Sequence, residues 1–166
     1  RRDLRDMEII TIDGDDTRDI ADAISIEKLP NGNYKLGVHI ADVGEYVTYN
    51  NALDKEAFKR GTSVYFPNLV LPMLPRELSN GICSLNEGVD RLALSVFMDI
   101  DNKGEIKDYE ICESVIRSKK RFTYTPVTKI LDNDEQACAE NQQFVKDLRL
   151  MNELNKILIK MREARG

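Results

Sequence analysis

The run Thr11-Ile12-Asp13-Gly14-Asp15-Asp16-Thr17-Arg18-Asp19-Ile20-Ala21-Asp22-Ala23-Ile24 places five carboxylates within ten residues. Carboxylates at this density repel one another, and their convergence on one point becomes favourable when a cation neutralises them. Hard divalent ions take oxygen ligands, so the chemistry open to this run is the binding of Mg²⁺, or of Mn²⁺ in its place. Asp is also a turn former and a helix N-cap, because its carboxylate accepts hydrogen bonds from nearby backbone N–H groups. Density alone is therefore equally compatible with a solvated acidic loop. The flanks add a second signal: Ile9, Ile10 and Ile12 lead into Asp13, and Ala23, Ile24 and Ile26 follow Asp22. Ligands that leave a sheet on rigid stems are the kind that hold a geometry.

Other residue types offer less. The single histidine, His39, stands three positions from Asp42 on an expected strand, which points the two side chains to opposite faces and denies them a dyad. The segment from Asp99 to Glu110 matches a calcium-binding EF-hand loop at positions 1, 3, 6, 8 and 12, but Lys103 occupies position 5. An EF-hand also needs a helix on each side, whereas the residues before Asp99 alternate with a period of two; the Asp-Asn-Lys-Gly stretch reads as a hairpin turn. Cys83, Cys112 and Cys138 are widely spaced and have no histidines clustered beside them. They form neither a disulfide framework nor a zinc site and read as ordinary buried thiols. The basic run Arg117-Ser118-Lys119-Lys120-Arg121 is suited to phosphate contacts, but the simpler reading is a solvated strand end.

The elements that must position the acidic run follow from periodicity. Residues 8–12 and 23–28 read as short strands around it, and Pro30-Asn31-Gly32-Asn33 turns the second into a strand from Tyr34 to Val43. Residues 51–60 are rich in helix formers and stop at Gly61. The stretch that follows, with Pro67, Pro72 and Pro75, reads as irregular. Leu92, Leu94, Val96, Met98 and Ile100 alternate, Asp101-Asn102-Lys103-Gly104 turns the chain, and residues 105–119 form a partner strand. Between about 136 and 163, Phe144, Leu148, Met151, Leu154, Ile157, Leu158 and Met161 recur at helical steps, the pattern of one long amphipathic helix. The expected class is α+β: a mostly antiparallel sheet of hairpins packed by a long C-terminal helix and short helices.

At 166 residues, 42% hydrophobic and 32% charged, the chain has the size and composition of one globular unit with a real core. No apolar stretch approaches the roughly 20 residues of a membrane helix, and the N-terminal residues lack the apolar centre of a signal peptide. The expectation is a cytoplasmic protein without a membrane partner. A formal net charge of −5 argues against a stand-alone nucleic-acid binder, because phosphate contacts draw on basic surface.

The order Thr11-Ile12-Asp13-Gly14, then Arg18-Asp19, then Asp22-Ala23-Ile24 is similar to the catalytic signature of the ribonuclease II/ribonuclease R (RNB) family, in which four Asp occupy this segment. Further blocks match in order: Val38-His39-Ile40-Ala41-Asp42-Val43, Arg60-Gly61-Thr62-Ser63-Val64-Tyr65-Phe66-Pro67, Pro72-Met73-Leu74-Pro75, Leu78-Ser79-Asn80-Gly81-Ile82-Cys83-Ser84-Leu85, Arg91-Leu92 and the closing Arg162-Glu163-Ala164-Arg165-Gly166. The resemblance extends over essentially the whole chain and implies that residues 1–166 are the N-terminal part of an RNB catalytic domain, without its second half and without flanking OB-fold domains.

The resemblance implies Mg²⁺-dependent, processive 3′→5′ hydrolysis of single-stranded RNA to nucleoside monophosphates. Position by position, it implies that Asp13 and Asp22 ligate the metal and that Asp19 assists in positioning metal or phosphate. The family's remaining Asp position is occupied by Ala21. Loss of one carboxylate spares binding but stops chemistry, so this chain is expected to be inactive and, in isolation, a weak RNA binder; a catalytically dead RNA-binding remnant is the alternative. Tyr65 resembles the family's aromatic clamp on the 3′-terminal bases, a contact worth roughly 1–3 kcal/mol per base. Judged on its neighbours alone, a tyrosine beside a Pro-rich turn is a packing residue.

Overall fold

Alternation of apolar and polar residues builds the centre of the fold, and a computed structural model describes it over residues 1–166. Strands β1 (Arg2–Asp3), β2 (Ile10–Asp13), β3 (Asp22–Lys28) and β4 (Tyr34–Ala41) are followed by helix α1 (Ala52–Arg60) and by short strands β5 (Val64–Phe66) and β6 (Leu69–Leu71). Long strands β7 (Asp90–Ile100) and β8 (Ile106–Arg117), strand β9 (Lys120–Thr123) and helices α2 (Tyr124–Leu131), α3 (Glu135–Glu140) and α4 (Gln142–Arg165) complete the chain. Seven strands form one sheet in the order β1-β8-β7-β4-β3-β2-β9. Its centre is antiparallel, with Ile24 opposite Val38 and His39 opposite Ser95, whereas the edge strands β1 and β9 pair in parallel. β8 and β9 lie far apart in strand order yet are separated only by Ser118 and Lys119. The sheet therefore curls until its two ends nearly meet, and the Lys119 N–H donates to the Ile9 carbonyl as the first rung of the β2–β9 pairing.

Curling gives the sheet an inner and an outer face. Ala23, Ala41, Ala93, Phe97 and Ile116 line the inner one, and Leu4, Ile9, Ile20, Cys83 and Leu85 fill it. On the outer face Ile26, Tyr34 and Ile100 pack against Leu154 of α4, while Ile10 and Phe122 meet Ile130, Phe144, Val145 and Leu148 of the helical layer. The Tyr34 hydroxyl donates to Glu153, so a polar contact fixes where α4 crosses the strands. No helix is long and apolar enough to cross a membrane.

A chain of buried polar side chains runs across the inner face. Ser25 Oγ lies 3.0 Å from His39 Nε2, His39 Nδ1 lies 2.7 Å from Ser95 Oγ, and Ser95 Oγ lies 2.7 Å from Ser114 Oγ. The Ser114 hydroxyl donates to the Ala93 carbonyl at 3.2 Å. A carbonyl only accepts, so the chain has a direction: Ser114 accepts from Ser95, Ser95 accepts from His39 Nδ1–H, and Nε2 accepts from Ser25. His39 is thus neutral, and burial pushes its pKa down to about 4. Gly37 makes room for this arrangement, since a Cβ there would sit 2.2 Å from Ser25 Oγ and 2.9 Å from His39 Nε2.

The expected α+β class and the two hairpins describe this architecture, and the differences have local causes. The helix expected over 136–163 is two helices, α3 and α4, because Asn141 turns its side chain back onto the Ala137 carbonyl at 2.9 Å and interrupts the backbone ladder. The strand expected to run to 119 ends at Arg117, and the chain then joins the opposite edge of the sheet as β9. Helix α2 had no counterpart in the sequence reading; Pro126 lies in its first turn, where a missing N–H costs nothing. The stretch read as irregular contains the β5–β6 hairpin, which stands apart from the main sheet, and a π-helical segment over Glu77–Ile82 that is broken at Gly81. The turn after Asp99 is a hairpin turn, with Asp101 Oδ1 accepting from the Lys103 and Glu105 N–H groups and Gly104 at a φ of 87°.

Candidate metal and nucleic-acid site

Asp13 is the last residue of β2 and Asp22 the first of β3. The two strands are in register only at Ile10 and Ile24, so beyond that pair they part, and the loop 14–21 bridges the opening. The loop is held from several directions. Ile20, 1% exposed, anchors it in the core; its N–H donates to Ser84 Oγ at 3.0 Å, and its carbonyl accepts from the Leu85 N–H at 2.9 Å. The Ser84 hydroxyl donates to the Arg18 carbonyl at 2.8 Å, and the Ala41 N–H donates to the Ala21 carbonyl at 3.0 Å. From β9 the Arg121 guanidinium donates to the carbonyls of Thr17 at 2.5 Å, Asp15 at 3.3 Å and Gly14 at 3.5 Å. The backbone between the carboxylates is thereby fixed.

The electrostatics identify where that fixed backbone concentrates negative charge. Asp13 is half-buried, and its carboxyl is raised above the ordinary carboxylate range, first by burial and then by the negative charge of Asp22 and, more weakly, Asp19; Arg121 opposes the shift. Its Oδ2 is buried and accepts no hydrogen bond, and Thr11 Oγ1 and Arg121 Nε are likewise buried without a partner. Thr11 is paired with Arg121, and Asp13 with Thr123, so these orphaned polar atoms occupy neighbouring positions of one strand pair. Buried polar groups ordinarily have partners, and a cluster without them is the mark of a site that something else completes. A half-buried carboxylate with an oxygen free of protein partners, within the electrostatic influence of Asp22 and Asp19, has the donor chemistry a hard divalent ion takes. The side chains are not already drawn into a ready-made chelate, since no three His, Cys, Asp or Glu groups meet closely enough to hold an ion unaided.

The other residues singled out in the sequence separate clearly. Asp15 and Asp16 are exposed, and the loop uses the backbone carbonyl of Asp15, not its carboxylate. Ala21 is exposed, next to Asp22, and its methyl group brings no charge to the opening. Tyr65 is 62% exposed and is not a core residue. It stands on the β5–β6 hairpin and donates its hydroxyl to Asp19 Oδ2 at 2.7 Å, a bond that raises the tyrosine pKa and keeps the proton on its oxygen. The whole hairpin is apolar and exposed, with Phe66, Leu69 and Leu71 each about half accessible. Asp42 pairs with Arg1 at 2.7 Å and takes no part in the Ser25–His39–Ser95 chain. Of the basic run, Arg117 pairs with Asp90 at 2.7 Å, Lys119 donates to the Arg5 carbonyl at 2.6 Å and Arg121 clamps the acidic loop. The three cysteines are free thiols, but only Cys83 is buried as expected; Cys112 and Cys138 are half-buried.

Two residues that shape the site carried no chemical signal. Ser84 reads as an ordinary serine between Cys83 and Leu85, distinguished only by its place in a block resembling a known family. Arg121 belongs to a basic run, but its work as a clamp depends on the parallel pairing of β9 with β2, which local periodicity does not encode.

The chain is similar to known proteins along its full length. Residues 1–166 match the family model described as RNB domain. Ribonuclease R of Thermotoga maritima is 57% identical over 168 residues, which takes in 100% of this chain and 23% of that protein. Ribonuclease R of Escherichia coli K12 is 48% identical over 166 residues, 100% of this chain and 20% of that protein. Among solved structures, Mycoplasma genitalium RNase R in complex with ribose-methylated single-stranded RNA superposes with a TM-score of 0.92 at 38% identity, covering 100% of this chain and 26% of that one. The chain thus spans about a fifth to a quarter of the length of these proteins.

Proposed function

The chain belongs to the RNB domain family, and from that premise we propose that it is part of a divalent-metal-dependent 3′→5′ exoribonuclease acting on single-stranded RNA. Asp13 and Asp22 hold Mg²⁺, with Mn²⁺ as a substitute, and Asp19 assists in placing metal or phosphate. The observation that carries the reading is Asp13: a half-buried carboxylate, raised first by burial and then by the negative charge of Asp22 and Asp19, with one oxygen that no protein group satisfies. A bound divalent ion supplies water activation and neutralises charge on the attacked phosphate. The chain's own residues do the positioning. Ser84, Leu85, Ala41 and Arg121 fix the loop that carries the carboxylates, and the exposed ring of Tyr65 offers a face on which a 3′-terminal base stacks. Support for RNA as the ligand comes from solved neighbours that include Mycoplasma genitalium RNase R in complex with single-stranded RNA and with double-stranded RNA.

Ala21 sets a limit on this reading. Where the family pattern has a further Asp, this chain has a methyl group, and removal of a charged group from the reacting centre costs more than the roughly 10²-fold of a small misplacement. Ala21 therefore favours a second reading, a segment that binds RNA without cleaving it. The two differ in one experiment, a time course on 5′-labelled single-stranded RNA with Mg²⁺, using a full-length protein that carries this segment with Ala or with Asp at position 21. Hydrolysis from the 3′ end by the Ala21→Asp form alone, with RNA binding by both, supports the assignment. Equal rates for the two forms would remove position 21 from the catalytic set, and no hydrolysis by either would favour the binding segment. The 166-residue chain by itself is expected to show no turnover even after Ala21→Asp.

A further inference from the structure

The Tyr65–Asp19 hydrogen bond joins two parts of the molecule that the sheet does not connect. β5 and β6 pair only with each other, and the remaining side-chain bonds around the hairpin stay near it in sequence. The Arg60 guanidinium donates to the Pro72 carbonyl, the Met73 N–H to Ser63 Oγ and the Arg76 guanidinium to the Val70 carbonyl. Tyr65 reaches instead across 46 positions to Asp19 at 2.7 Å. The bond engages Oδ2 and leaves Oδ1 of Asp19 without a protein partner, so one carboxylate oxygen is committed and the other is available.

This arrangement separates two properties of one side chain. The ring of Tyr65 is exposed for stacking, while its hydroxyl is spent on a carboxylate of the metal site. We propose that the Tyr65 hydroxyl is a positioning group for Asp19, fixing which of its oxygens faces the metal, so that occupancy of the metal and engagement of the RNA 3′ end are energetically coupled through this bond. The inference rests on the reading of Asp13, Asp19 and Asp22 as metal-holding residues and adds to it the side chain that sets the third. Groups that hydrogen-bond to a metal-ligating side chain orient it, and their loss typically costs 10–100-fold in metal affinity. Coupling of this kind is reciprocal: a nucleotide that holds Tyr65 in place strengthens the metal, and the metal strengthens the nucleotide by the same factor.

The test is a titration of the 166-residue chain with Mn²⁺ alone, with free Mn²⁺ read by electron paramagnetic resonance and folding of each variant checked by circular dichroism. Tyr65→Phe keeps the ring and removes only the hydroxyl; Tyr65→Leu removes both. Each is expected to weaken Mn²⁺ binding by roughly tenfold and to the same extent, because the hydroxyl and not the ring acts on Asp19. Asp19→Asn weakens binding at least as much, and adding Tyr65→Phe to it costs nothing further. Equal Mn²⁺ affinity in the unmodified chain and Tyr65→Phe would overturn the coupling while leaving the metal reading intact. Failure of the unmodified chain to take up Mn²⁺ would overturn both.

Discussion

Lowering the pH from about 7.5 to about 5 is expected to cost this chain roughly 2 kcal/mol of stability through one side chain, His39. The imidazole is fully buried, donates from Nδ1 to Ser95, accepts at Nε2 from Ser25 and is pushed by burial from 6.5 to about 4. Between those values the unfolded chain binds a proton that the folded chain refuses, so stability rises with pH across the window. The stabilisation is complete above about 6.5 and is lost as the pH falls toward 4. At about 1.4 kcal/mol per pH unit the full interval amounts to roughly 3 kcal/mol, of which roughly 2 is lost by pH 5. Asp13 and Asp147, whose carboxyls are raised by burial, act in the opposite sense, so the reference is a non-titrating variant, His39→Gln. Urea unfolding of both proteins across this range measures the difference in slope. Parallel stability profiles for the two, or an imidazole that titrates near 6.5 in the folded chain by NMR, would refute the reasoning.

The same buried chain makes Gly37→Ala costly. The new methyl carbon would stand 2.2 Å from Ser25 Oγ and 3.2 Å from Phe97 Cε1, and relief of such overpacking costs about 1–3 kcal/mol, visible as a lower urea midpoint with an unchanged m-value. For RNA, the net charge of −5 opposes the counterion release that drives non-specific binding. Fluorescence anisotropy with a short poly(A) oligomer at physiological salt is expected to give a Kd no tighter than about 10⁻⁴–10⁻⁶ M, and tighter binding would show that the segment is self-sufficient.

Much of this architecture was legible in the sequence because its signals are local. The alternation from Leu92 to Ile100, the turn at Asp101–Gly104 and the recurrence of Leu148, Met151 and Leu154 each specify an element without reference to the rest of the chain. The acidic run was legible for the same reason, with its carboxylates packed between two apolar stems. What escaped was set by contacts distant in sequence. The pairing of β9 with β2 places Arg121 under the acidic loop, and the chain between the π-helical segment Glu77–Ile82 and β7 brings Ser84 to Ile20. Neither leaves a pattern within a window of ten residues. His39 is instructive in another way: strand geometry separates it from Asp42, but its real partners, Ser25 and Ser95, stand on neighbouring strands and become visible only once the register is known.

The central claim is that the opening between β2 and β3 is a divalent-metal site, and crystals of this chain soaked in Mn²⁺ test it most directly. An anomalous-difference peak within direct ligation distance of Asp13 and Asp22, with Asp19 turned toward it, is the predicted result. A well-ordered loop without such a peak, with the three carboxylates pointing into separate regions of solvent, would contradict it.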